Sequence, residues 1–129
     1  MIRFLVRLFL LIVVALAAVL AWALWPRTGD LRGFDSAAVA RLETAMWRDY
    51  YERDYNDLMF QLFKLHQDEY HFSPAYSVQL AMKAGQAAKL FQPTTNRAEA
   101  QVALPELIKY FTLLQEKSGE DFDPIKVAA

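Results

Sequence analysis

Glu43, Tyr50 and Asp54 are spaced so that, on a helix, their side chains fall within about 40° of one another. Two carboxylates and a phenol on one apolar face are costly to bury unpaired. Gathered inside a bundle, they would bind a metal ion or work as acid and base. The alternative is a place at the rim, with the carboxylates capping a neighbouring helix or pairing with Arg53 or Arg97.

A second group is His66, Asp68, Glu69 and His71. His66 and Glu69 stand three apart, as do Asp68 and His71. Bundle di-iron sites draw Glu-x-x-His pairs from two helices, and this chain contains no such pair. A single zinc or iron site would combine this group with Glu99 or Glu106, and a carboxylate-and-histidine site for a metal or small molecule would use Glu43, Asp54, His66 and His71. The alternative is that His71 ends a helix and His66 is a partly buried spacer. No cofactor is expected. Phosphate loops, nucleophile elbows, H-E-x-x-H and EF-hand patterns are missing. There are no cysteines, which removes disulfides, thiolate metal sites and a Cys nucleophile.

The third group is aromatic. Residues 46–55 read MWRDYYERDY, one Trp and three Tyr in ten positions. Trp, Tyr and Arg are favoured at binding hot spots. Trp47, Tyr51 and Tyr55 are therefore expected at a partner surface, although Trp47 and Tyr50 also lie on the apolar face of their helix.

The elements that would position these residues are helical. No alternating strand pattern occurs. Leu8 to Trp25 are 18 consecutive residues without a charge, close to the hydrocarbon thickness of about 30 Å when helical. Arg3 and Arg7 precede this run and Trp22 and Trp25 close it, all four suited to the membrane interface. The positive-inside bias puts the N-terminus in the cytoplasm and the rest on the exported side, which in a bacterium is the periplasm. Ala21-Trp22-Ala23 has the form of a signal cleavage site, so a secreted soluble protein is the alternative; the length of the apolar run favours an uncleaved anchor.

Residues 26–35 hold Pro26, Gly29 and Gly33 and read as a linker. From Ser36 to His71 there is neither Gly nor Pro, and one long helix is expected, capped by Asp35 or Ser36. Val39, Leu42, Met46, Trp47 and Tyr50 share its first apolar face, with Arg41, Arg48, Asp49 and Glu52 opposite. Tyr55, Leu58, Leu62 and Leu65 form a second stripe, displaced by roughly 110°. The switch falls at Arg53 to Asn56, where either the helix is broken or bulged or its two halves pack against different partners; one long helix is the favoured reading. Ser73 and Pro74 start the next helix, which runs to Phe91 with Ser77, Leu80, Ala81, Ala84, Ala87, Ala88 and Phe91 inward. Asn96 and Glu99 have capping-box spacing before a last helix over 97–117, interrupted at Pro105. Its buried face is Leu104, Leu107, Ile108, Phe111 and Leu114. Gly119 ends it and residues 119–129 are expected to fray.

The expected class is all-α: a transmembrane segment over 1–25, a linker over 26–35, and a three- to four-helix bundle over 36–118. The 14 basic and 15 acidic residues give a net charge of −1 with no basic stripe, which argues against nucleic acid. The function expected is that of a single-pass accessory or interaction subunit without catalysis of its own. Its partners would be the bilayer and another membrane or envelope protein, or a second copy of itself. Trp47, Tyr51, Tyr55, Leu58 and Leu62 would form the contact. A metal- or small-molecule-binding bundle is the alternative.

Overall fold

The structure, a computed structural model, describes residues 1–129 and is helical without strands. Helix α1, Ile2–Leu24, is long and apolar enough to cross a membrane. Its 23 residues extend about 35 Å at 1.5 Å each. Nearly every side chain on it is exposed. The helix stops where Pro26 drives Trp25 out of the helical region, to ψ 120°. Arg27 then folds back. Its guanidinium donates to the Trp22 carbonyl at 3.0 Å and lies 5.3 Å from the centre of the Trp22 ring.

Helix α2, Ser36–Glu52, starts on Asp35, whose carboxylate accepts from the N–H groups of Ala37 and Ala38. The single long helix expected from 36 to 71 does not form. Arg53 turns left-handed at φ 59°, and the Asp54 N–H reaches back to the Asp49 carbonyl at 2.8 Å. That six-to-one bond is a Schellman closure, normally built on glycine. Asp54 caps the next helix by accepting from the Asp57 N–H at 3.2 Å. Helix α3, Tyr55–Lys64, therefore leaves at the point where the apolar stripe changes face. It continues as a π-helical turn, Leu65–Glu69.

Ser73 and Pro74 open α4, Pro74–Phe91, as their types require. Asn96 caps the short α5, Arg97–Ala100, accepting from the Glu99 N–H at 3.0 Å. The capping box is shifted by one residue, since the Glu99 carboxylate accepts from the Thr95 N–H instead. The break expected at Pro105 is present. A 3₁₀ turn, Gln101–Ala103, leads into α6, Leu104–Ser118. The chain beyond Gly119 does not fray. Phe122 packs against the core, Gln115 donates to its carbonyl, and Asp123 caps α7, Pro124–Ala128.

The helices pack in series: α2 on α3, α3 on α4, α4 on α6. Two apolar clusters result. Phe72, Leu80 and Leu114 form one; Leu58, Leu62 and Ala81 form the other. Gly85 admits Met59 of α3, because a Cβ there would meet the Met59 sulfur. Residues 26–35, expected as a linker, are docked. The Gly29 N–H donates to the Lys117 carbonyl at 2.9 Å and the Asp30 N–H to the Tyr70 carbonyl at 2.8 Å. Leu31 joins the first cluster, and Arg32 pairs with Glu120 at 2.6 Å. The N–H groups of Arg32 and Gly33 hold the Asp30 carboxyl below its usual range.

Gly29 is buried against Phe72, where a Cβ would lie 2.2 Å from ring atoms. Phe72 is itself fully buried and cannot retreat. Gly29→Ala is expected to cost about 1–3 kcal/mol, the usual range for overpacking. The measurement is thermal unfolding in mild detergent; an unchanged midpoint would show that the strap is not docked on Phe72.

Candidate functional site

The packing of the helices in series leaves α2 and α6 without comparable contact. Between them lies an open groove of about 480 Å³, within the size range of ordinary ligand pockets. Met46, Trp47 and Tyr50 of α2 form one wall; Leu107 and Tyr110 of α6 form the other. Leu58 and Leu62 of α3 and the alanines 84, 87 and 88 of α4 make the floor, with Phe91 at one end. Glu43 is the only charged residue lining it. The alanines leave the volume that larger side chains would have filled.

The predicted constellation is divided by this geometry. Glu43 and Tyr50 both line the groove, while Asp54 caps α3 outside it. Nor do Glu43, Asp54, His66 and His71 converge. No three His, Asp or Glu side chains come together in a metal-holding group. His71 is exposed, in a left-handed turn at φ 57°.

His66 is fully buried. Its Nδ1 lies 2.6 Å from the Leu62 carbonyl and its Nε2 2.9 Å from the Tyr110 hydroxyl. A carbonyl only accepts, so Nδ1 carries the proton and the bare Nε2 accepts from Tyr110. This bond ties the π-turn to α6 directly behind the groove wall. Burial pushes the His66 pKa down to about 4, against a smaller opposing effect of the Leu62 carbonyl. Burial likewise pushes the Tyr110 phenol up. The Tyr70 phenol is raised by burial and then by the charges of Glu43 and Glu69.

The partner residues also divide. Trp47 and Tyr51 are 59% and 73% exposed, and their rings stack at 6.0 Å. Leu58 and Leu62 are only 4% and 9% exposed. The second stripe is covered by the protein's own α4, so these leucines serve as core and groove floor, not as an exposed contact. Tyr55 is half-buried beneath Lys89, whose ammonium lies 5.7 Å from the ring centre. Asp49, placed on the polar side of α2 by periodicity, is 2% exposed. It sits at the α2–α3 turn, with Arg48 on one carboxylate oxygen and no partner on the other. Tyr110, Leu107 and Phe91 were not read as site residues. For Tyr110 the available signal was a phenol beside a buried stripe, in a chain whose His66 needed a partner.

No protein-family model matches this chain, and no curated protein or solved structure matches it.

An unfolded His titrates near 6.5, so proton uptake below that pH favours the unfolded chain. The stability held by neutral His66 is complete above pH 6.5 and is lost as the pH falls toward 4. The shift corresponds to about 3 kcal/mol. Between pH 7 and 4 the native chain should lose about that much more stability than His66→Gln, measured by urea unfolding in mild detergent. Parallel pH profiles for the two proteins would show that His66 is not buried neutral.

Proposed function

We propose that this chain is a single-pass, membrane-anchored accessory protein without catalysis of its own. Its helical domain receives an apolar segment of another membrane or envelope protein in the groove between α2 and α6. The observation that carries this reading is the groove itself. It is an open, almost wholly apolar cleft with exposed Trp47 on its wall and exposed Tyr51 stacked against Trp47. Exposed apolar surface of this kind marks interaction sites, and Trp and Tyr are common anchors in them.

The placement of α1 supports the cellular side of the proposal. Arg3 and Arg7 before the apolar run favour a cytoplasmic N-terminus with the domain exported. The docked segment Arg27–Gly33 would then hold the domain against the end of the anchor. Gly29 is bonded to Lys117, at the C-terminal end of α6, whereas Leu107 is ten residues earlier, about 15 Å away along that helix. The groove would thus open toward the aqueous side of the domain, where the partner's soluble part is accessible.

A small apolar molecule in the same groove is the second reading, favoured by a volume typical of ligand pockets. The two are separated by photo-cross-linking in cells. A benzoylphenylalanine in place of Trp47 should yield an adduct with another polypeptide. The same group in place of Phe60, exposed on α3 away from the groove, should not. Absence of a polypeptide adduct at 47, or equal adducts at both positions, would sink the partner reading.

A further inference from the structure

The groove has one charged wall residue, and that residue is unpaired. Glu43 takes part in none of the four ion pairs and in no side-chain hydrogen bond of the domain. It stands on α2 one turn before Trp47 and two turns before Tyr50, so all three line the same wall. The Trp47 and Tyr50 rings meet edge to face at 5.8 Å. The facing wall carries Leu107 and Tyr110, and the floor is leucine and alanine. No cation of this chain reaches the groove.

An unpaired carboxylate on the same wall as Trp47 and Tyr50, above an apolar floor, is matched by a cation on an apolar body. Anions are repelled by Glu43, and a purely apolar occupant would leave its carboxylate partly desolvated without a partner. We infer that the groove is selective for a cationic apolar segment: a partner helix whose apolar face enters the cleft and whose Lys or Arg sits between the Glu43 carboxylate and the rings of Trp47 and Tyr50. This rests on the groove being the partner site. Glu43 lies seven residues beyond Ser36 and Tyr50 fourteen, so the cation binds at the end of the groove nearer the docked strap. The apolar contacts extend away from it, along α4 toward Phe91.

The test uses the full chain in lipid nanodiscs with its four methionines labelled at the methyl carbon. Met46 lines the groove, while Met82 is exposed on α4 outside it. The probes are 4-phenylbutylammonium, 4-phenylbutanol and 4-phenylbutyrate. The Met46 signal should shift saturably with the ammonium at about one-fifth the concentration needed with the alcohol, the gain expected of one partly exposed cation–aromatic and carboxylate contact. The carboxylate probe should be weakest. Glu43→Gln, a change at an exposed position, should abolish the preference for the ammonium while Met46 still responds to the alcohol. Equal response to ammonium and alcohol in the native chain would overturn the charge selectivity and leave the groove reading intact. A Met46 signal unmoved by all three probes would overturn both. Side-chain origin of the cation is tested by repeating the cross-link at position 47 in Glu43→Lys. The polypeptide adduct should fall at least fivefold, and an undiminished adduct would overturn the assignment to a partner Lys or Arg.

Discussion

Helix α4 is packed along both of its sides, by α3 on one and by α6 on the other, and the remaining structure depends on that double contact. Small residues make it possible. Ser77, Ala81, Gly85 and Ala87 are all buried, and Gly85 lets the Met59 side chain in where any Cβ would collide. Close approach of helices is what such residues permit, and tight packing is what stabilises a domain of this size. The same economy of side-chain volume has a second result. Where α4 presents the partly exposed Ala84 and Ala88 and no third helix covers them, the groove opens.

The wall of the groove is set by a backbone event at Arg53. With a continuous helix, the stripes of α2 and α3 would face different directions on one rod. The Schellman closure at Asp49–Asp54 folds α3 back along α2, so that both stripes meet a common interior. On the other side, the bond from Tyr110 to His66 holds α6 against the π-turn. π-Turns often mark positions where a side chain must be aimed rather than merely packed. Here the aimed side chain is His66, both of whose ring nitrogens are hydrogen-bonded inside the protein.

Much of the fold was legible, and the reasons are local. The Ser73-Pro74 start, the Asn96 cap and the interruption at Pro105 follow from the chemistry of one or two residues. The site was only half legible. Glu43, Tyr50 and Trp47 could be placed on one helical face by their spacing. Their meeting with Leu107 and Tyr110, more than fifty residues away, could not. Asp54 has the same helical phase as Glu43, and periodicity grouped them. The left-handed Arg53 ended that phase one residue before Asp54 and turned its carboxylate into a cap.

By itself, then, the amino-acid order determined a helix long and apolar enough to cross a membrane, an all-helical domain behind it, and most of the helix ends. These depend on hydrophobic runs, turn residues and caps acting over a few positions. Tertiary structure alone decided that the strap after Pro26 is docked, that Leu58 and Leu62 are covered by α4, and that α2 and α6 stand apart. Each of these depends on which surfaces compete for burial across the whole chain. A buried leucine and an exposed one look alike in the sequence; only the neighbour that reaches it separates them.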